Sequence, residues 1–503
     1  MNLHTCPKWD IFEVTVSGPS EGNPFTEQWI RGVFSGANET VRCDGFYDGE
    51  GFYRVRFMPS FEGDYTYQVS TSFGVREAGS FTVTAPGQDI HGPVRVANTC
   101  HMAYEDGTPY YSIGTTCYVW ELQSDEVIAD TLRTLEKSAF NKIRFCIFPK
   151  HYAHNLREPR SYPYEGTPVD SRGITPDNFW QYTGRTEGNH WDFARFNPAY
   201  FRHIENCIRK LRKLGIEADL IMMHPYDRWG FSCMSREQDD LYWNYAVARF
   251  SAFSNVWWSL ANEYDLMPAK TLDDWEHYAD ILCRRDPYRH MRSIHNCGSY
   301  YDYSRPWITH CSLQRTDLYK SSELTEEFRN RYKKPVIWDE IAYEGNIEYG
   351  WGNISPQEML RRFWEAAVRG GYPGHGETYL DPEDILWWSH GGVLHGESHK
   401  RFGFLLDILK QTPGHGLKPA HPDWDEVCGV PDQISSPVSD YYLIYYSFMR
   451  PGLRAFRFDE NSRWQVRVID TWNMTVEDRG ILSGTFTVEL PGREYMAIQL
   501  RRL

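Results

Sequence analysis

The stretch FSNVWWSLANEYD, residues 253–265, decides how the rest of the chain is read. NVWWSLA is an apolar run of strand length, rich in Val and Trp, and fits a strand buried on both faces. The run halts on Asn262-Glu263 before Tyr264 resumes the aromatic character. A carboxylate buried without a partner is costly, so a glutamate at the end of a core strand needs a reason. KKPVIWDEIAYEG, residues 333–345, repeats the pattern, with an apolar strand ending on Glu340.

Outward from these two stretches, short apolar strands alternate with amphipathic helices from about residue 90 to 420. The predicted strands are YYSIGTT (110–116), FNKIRFCIF (140–148), IEADLIMMH (216–224), NVWWSLANE (255–263), MRSIHN (291–296), WITHCSL (307–313), KPVIWDE (334–340) and one near RGGYPGHGET (369–378). Between them, FRHIENCIRKLRKLG sets Phe201, Ile204, Ile208, Leu211 and Leu214 on one helical face. Eight such units predict a (β/α)8 TIM barrel. The rival, a doubly wound sheet, lacks the G-x-G-x-x-G turn after any strand. In a barrel, the C-terminal ends of the strands share one mouth, so Glu263 and Glu340, 77 residues apart in sequence, would meet there.

Both flanks read as strands. FEVTVSG, WIRGVFSG, GFYRVRFMP, GDYTYQVSTS and GSFTVTAP alternate apolar with polar residues between Gly-rich turns, which predicts an Ig-like β-sandwich over 1–88. DYYLIYYSF, WQVRVIDTWN, GTFTVELPG and EYMAIQL predict a C-terminal β-sandwich over 426–503, leaving 89–425 for the barrel. These modules are expected to brace the barrel or to mediate self-association, which leaves a homo-oligomer open.

Composition narrows the partners. A formal charge of −15 disfavours nucleic acid and anionic membranes, which need clustered positive charge. Aromatics at 16% of the chain offer flat faces that suit sugar rings or large cores. The 11 Cys are scattered with no C-x-x-C pair, and the N-terminus lacks a basic patch followed by an apolar run; together these favour the cytoplasm. H-E-x-x-H is absent, as is H-x-H after the first strand, so neither metal nor other cofactor is expected; in the loop-like GESHK, Glu397 could reach the rim.

Two carboxyls across a pocket are what glycosidic bond cleavage requires, one as acid and one as nucleophile or base. The alternative for Glu263 and Glu340 is that they cap the helices that follow them. Asn262 is placed to bind the sugar 2-hydroxyl, and Arg144 to hold a carboxylate charged through paired hydrogen bonds. An Asn-Glu at the end of strand four, a Glu at the end of strand seven and Asn141-x-x-Arg144 on strand two resemble the clan A retaining glycoside hydrolases. The flanks VSGPSEGNPF and IDTWNMT…LPGREYMAIQL extend the resemblance to the apiosidase-like group, which acts on plant cell-wall side chains. The resemblance implies Glu263 as acid/base, Glu340 as nucleophile, Arg144 as its partner and Asn262 as the 2-hydroxyl ligand. The group's fourth strand ends in Gly-Asp where this chain has Asn-Glu, so the resemblance implies the clan rather than apiose as the sugar.

Further candidates for a carbohydrate site follow the strands. His224 and Tyr226 follow strand three, where they either touch substrate or seal the rim. His310 is read as ending strand six, and His295 lies in strand five, with a satisfied core histidine as the alternative. Trp120 and the pair Trp387-Trp388 either stack on sugar or fill core. His375 and Glu377 lie in GHGET, where glycines would let main chain approach a ligand. Asp339 is excluded, because strand alternation turns it from the pocket. The segment 151–193 shows little periodicity and reads as a lid that closes a cleft into a pocket. The function expected is therefore a retaining, exo-acting glycosidase on plant-derived oligosaccharides. The alternatives are an endo-acting mannanase- or glucanase-type enzyme and a non-catalytic carbohydrate-binding protein.

Overall fold

The structure, a computed structural model, describes residues 4–182, 186–382, 385–422, 426–432 and 439–503. Its centre is a parallel eight-stranded barrel: β1 (Gly114–Thr116), β2 (Lys142–Cys146), β3 (Glu217–Ile221), β4 (Val256–Ser259), β5 (Arg292–Ser293), β6 (Cys311–Gln314), β7 (Val336–Glu340) and β8 (Tyr372–His375). Neighbouring strands pair in parallel, with β8 returning to β1. Between β5 and β6 the ladder is reduced to one bridge, His295 to Ser312, which closes the ring.

The helices form an outer layer: α1 (Asp125–Glu136), α2 (Pro198–Lys213), α3 (Arg236–Phe250), α4 (Leu272–Arg285), α5 (Thr325–Tyr332), α6 (Pro356–Val368) and α7 (Phe402–Leu409). α2 illustrates the local logic. Asn197 caps it by accepting from the Ala199 N–H, Pro198 opens it, and Phe201, Ile204, Ile208 and Leu211 are buried along one face. Leu214, expected on that face, is its C-terminal cap and only partly buried. The strand–helix alternation fails once: 294–310 joins β5 to β6 without a helix, and its sequence NCGSYYDYSRP is rich in turn formers.

The N-terminal sandwich packs a five-stranded sheet on a three-stranded one around Phe34, Val55, Phe57, Tyr65 and Phe81. It docks through buried charge: Arg56 meets Glu205 of α2 at 2.8 Å, and Arg249 of α3 meets Asp48 at 2.8 Å. A small antiparallel sheet that the sequence reading missed (Val94–Ala97, His101–Tyr104, Pro109–Tyr110) caps the bottom of the barrel, where Val94, Met102 and Tyr110 pack on Trp257, Met291, Ile337 and Tyr372. The C-terminal six-stranded sheet begins at Leu417, whose strand Leu417–Ala420 pairs with Val427–Pro431, so the expected boundary at 425/426 cuts a hairpin. Residues 423–425 themselves lie outside the described residues. The segment 151–193 is not structureless, because Tyr164–Thr167 pairs with His190–Phe196; residues 183–185 within it lie outside the described residues. Among the described residues no helix is long and apolar enough to cross a membrane.

Candidate active site

At the C-terminal mouth of the barrel lies a cavity of about 230 Å3 lined by Tyr118, Lys150, Tyr152, Tyr226, Glu263, Cys297, Gln314, Thr316, Glu340, Tyr343, Trp351 and Trp388. Both glutamates read from the sequence line it.

β4 ends at Ser259, and Leu260, Ala261 and Asn262 continue buried while Asn262 N–H bonds to Met223 O at 2.9 Å. The chain then turns at Glu263, whose φ of 51° lies in the left-handed region. That conformation is unfavourable for a residue bearing a Cβ, and such strain concentrates at functional sites. Here it turns the chain beyond the strand and carries the Glu263 carboxylate to the cavity wall. Tyr264 N–H bonds to His295 O at 3.0 Å and pins the turn.

The two carboxylates have opposite surroundings. Burial and the neighbouring charge of Glu340 raise the Glu263 pKa, against a hydrogen bond from Tyr226 and the charges of Lys150 and His295. Burial would raise Glu340 as well, but the hydrogen bond and charge of His295, the Arg144 guanidinium and a hydrogen bond from Tyr118 outweigh it and lower its pKa. His295 Nε2 lies 3.3 Å and Arg144 Nη1 3.6 Å from Glu340 Oε1, and the Tyr118 hydroxyl donates to the same oxygen. The Tyr118 oxygen also lies 3.3 Å from Asn262 Oδ1, and Asn262 Nδ2 donates to Glu263 Oε2 at 3.1 Å. One chain of contacts thus runs Glu263–Asn262–Tyr118–Glu340. A carboxyl whose proton is held more tightly beside one whose charge is favoured, both facing one cavity, is a combination suited to acid-assisted displacement at an acetal.

The remaining candidates divide. Tyr226 and Trp388 line the cavity. Arg144 sits beneath it and is shared rather than paired with one carboxylate, its Nε lying 3.4 Å from Asp219 and 3.9 Å from Asp339. Asn262 is fully buried behind the wall, with both ends of its amide engaged by protein. His224 is buried at 3.2 Å from Phe148 O, and burial pushes its pKa down to about 3. Trp120 packs edge-on to Phe145, and Trp387 donates to Thr115, both in the core. His310 does not end β6 but precedes it, packed against Trp257 at the bottom of the barrel. Strand six starts four residues later than its apolar pattern implied, because Trp307 and Ile308 belong to the preceding loop.

Asp339 is rightly excluded from the pocket, though not for the reason of simple alternation. It does not line the cavity, yet it points into the barrel, 2.6 Å from Lys142 Nζ. Leu313 pairs with Trp338 and Gln314 with Glu340, so Asp339 is the extra residue of a bulge and the alternation breaks there. Lys142, Arg144, Asp219 and Asp339 form a charge-balanced layer where most barrels hold apolar side chains.

His375 and Glu377 belong to another cluster. Ligand atoms of Glu344, His375 and Glu377 lie close enough to share a cation. The carboxylates, however, are already occupied. Glu377 accepts from the N–H groups of His395 (2.6 Å) and Gly396 (2.7 Å), and Glu344 from those of Glu397 (2.8 Å) and Ser398 (3.1 Å), the Ser398 hydroxyl and the Tyr379 hydroxyl. Burial pushes Glu377 up to about 8 against the pull of these N–H groups. The cluster clamps loop 395–398, and Glu397 contributes its N–H rather than its carboxylate. The glycines of GHG serve close packing: a Cβ on Gly374 would meet Asp339 O at 2.5 Å, and one on Gly376 the Tyr343 ring at 2.1 Å.

Several cavity residues were missed: Tyr118, Lys150, Tyr152, Cys297, Gln314, Thr316, Tyr343 and Trp351. Most share a signal that the sequence offered, a position at or just beyond the end of a barrel strand. Lys150 is the least expected. It is buried, with its ammonium 3.4 Å from the centre of the Tyr118 ring and 4.3 Å from those of Tyr226 and Trp388, and burial pushes its pKa down to about 8.

A family model described as "Apiosidase-like, catalytic domain" matches residues 97–401. Two families described as domains of unknown function, DUF5060 and DUF5605, match 5–72 and 424–501. A crystal structure from Bacteroides vulgatus ATCC 8482, described provisionally as a glycoside hydrolase, is 37% identical over 99% of this chain and 100% of its own, with a TM-score of 0.90. A glycoside hydrolase family 5 structure from the same organism is 14% identical over 82% of this chain and 93% of its own, with a TM-score of 0.59, and shares the fold. No functionally curated protein matches the chain.

Proposed function

The chain belongs to the apiosidase-like family and is a glycoside hydrolase of the clan A type; on that premise we propose that it cleaves glycosides with retention, using Glu340 as nucleophile and Glu263 as acid/base. The observation that carries the reading is the opposed environment of two glutamates on one cavity. Glu263 protonates the departing oxygen as Glu340 attacks the anomeric carbon, giving a glycosyl ester. Glu263, now ionised, takes a proton from the water that releases the sugar and restores Glu340. Tyr118, Arg144 and His295 hold Glu340 charged before attack.

Exo-action is supported by size. A cavity of about 230 Å3 falls below the roughly 300–1,000 Å3 of typical ligand pockets, and Tyr152, Trp351 and Trp388 wall it with rings 5.2–6.4 Å apart. That enclosure suits a terminal sugar better than a polymer threading through. Plant-derived side chains as substrate follow from the family alone. The test is a 2-deoxy-2-fluoro glycoside with a good leaving group. Mass spectrometry should find the sugar on the peptide carrying Glu340, and proton NMR should show a first-formed product of unchanged anomeric configuration. An inverted product would sink retention.

A further inference from the structure

The inference rests on Glu340 as the nucleophile and concerns what keeps it charged. We infer that His295 stands beside Glu340 as a doubly protonated imidazolium, held so by Asp339 acting through Ser312 as a positioning pair.

The argument follows hydrogens. Asp339 is fully buried. Burial alone would raise its pKa, but Lys142, Arg144 and His295 outweigh it and lower it, so it is ionised and can only accept. The Ser312 hydroxyl lies 2.5 Å from Asp339 Oδ2, which takes its single proton. Ser312 Oγ can then only accept from its other neighbour, His295 Nδ1 at 3.1 Å, so Nδ1 carries a hydrogen. On the far side of the ring, Nε2 faces Glu340 Oε1 at 3.3 Å and Gln314 Oε1 at 3.2 Å. Turning the Gln314 amide would relieve one of these acceptors, but the carboxylate stays. Two facing acceptors repel unless a hydrogen lies between them, so Nε2 carries one too.

The charged groups around His295 agree. Three carboxyl groups surround it, Glu340 and Asp339 of β7 and Glu263 just beyond β4. Against them stand Lys142 and Arg144 on β2. Glu340 is thus flanked by two cations, His295 and Arg144. The relay also sits at the seam of the barrel, since the His295–Ser312 bridge is what joins β5 to β6.

The experiment uses the full chain labelled with 15N-histidine, the His295 signals being assigned by their loss in His295→Gln. At about pH 7.5, where a free imidazole is mostly neutral, long-range proton–nitrogen spectra should show both His295 nitrogens protonated. One bare nitrogen would overturn the inference. That readout needs no turnover, so it stands or falls separately from the glycosidase reading. Ser312→Ala and Asp339→Asn should each leave one nitrogen bare at that pH. In both, the acid limb of kcat/KM should move to higher pH, with KM little changed. A loss uniform across pH would mean packing alone and would also overturn the relay; Ser312→Ala, which leaves the Lys142–Asp339 contact intact, covers the case in which Asp339→Asn fails to fold.

Discussion

Two pairs of buried glutamates lie near the same end of the barrel, and they are built differently. Glu263 and Glu340 are held by side chains drawn from several strands, Tyr118, Asn262, Tyr226, Arg144 and His295, and they face open volume. Glu344 and Glu377 are held largely by main-chain N–H groups of one loop, and their space is filled: a Cβ on Gly396 would sit 2.5 Å from an oxygen of each. Burial of an acid therefore does not distinguish a reactive group from an anchor. The distinction lies in the donors and in the room left for a ligand. Side-chain donors can treat two carboxylates unequally, as the opposite shifts of Glu263 and Glu340 require. Main-chain donors tie a loop down.

The contrast can be broken most directly by truncation. Glu263→Ala should lower kcat/KM by roughly 10²–10⁴, the range for a lost general acid or base, and azide should restore part of it by replacing the water that the missing base activates. Glu340→Ala should cost more, since the covalent step itself is lost. Turnover of an aryl glycoside by Glu340→Ala at the wild-type rate would end the proposed mechanism. The clamp should behave otherwise, with Glu344→Ala or Glu377→Ala leaving turnover within about tenfold, less than a lost general acid costs.

A finer test is Tyr118→Phe. It removes one hydrogen bond to a charged group, worth about 1.5–3 kcal/mol, or roughly ten- to a hundredfold in kcat/KM. The pH profile gives the sign. Activity needs Glu340 ionised, so its acid limb sits at the lowered pKa, and the basic limb sits at the raised pKa of Glu263. Losing the Tyr118 donor should move the acid limb to higher pH and leave the basic limb nearly in place. A profile unchanged in shape would detach Tyr118 from Glu340.

The smallest effect is expected at the clamp and in stability. Glu377→Gln places an amide N–H₂ against a main-chain N–H and loses a buried acceptor, costing about 1–3 kcal/mol, read as a lower temperature of half-inactivation. The wild-type Glu377 carboxyl binds its proton more tightly folded than unfolded, its pKa raised to about 8. Its contribution to stability is therefore full below the ordinary carboxyl range and falls as pH rises toward 8. Glu377→Gln should abolish that part of the slope. A slope identical in both proteins would remove Glu377 as its source.

Much of this was readable in one dimension. Period and composition located all eight barrel strands, and the halt of an apolar run on Asn262-Glu263, matched by Glu340, named the two acids that share the cavity. Failures came where local pattern gave way to tertiary contact. Alternation rightly kept Asp339 from the cavity but could not show that it points into the barrel, because a bulge reset the register beside β6. Apolar content began β6 too early and so misread His310. Trp120 and Trp387 carried the same aromatic signal as Trp388, yet only Trp388 reaches the cavity.

The amino-acid sequence by itself determined the barrel, its two β flanks and the identity of the paired glutamates, because hydrophobic period and strand-end position are local properties of the chain. The tertiary structure alone decided which carboxyl group has its pKa lowered and which has it raised, and which of two glutamate pairs faces a space a sugar can enter. Those properties depend on donors brought from β2 and from the loops after β1, β3 and β5, groups far apart in the chain whose distances no local pattern encodes.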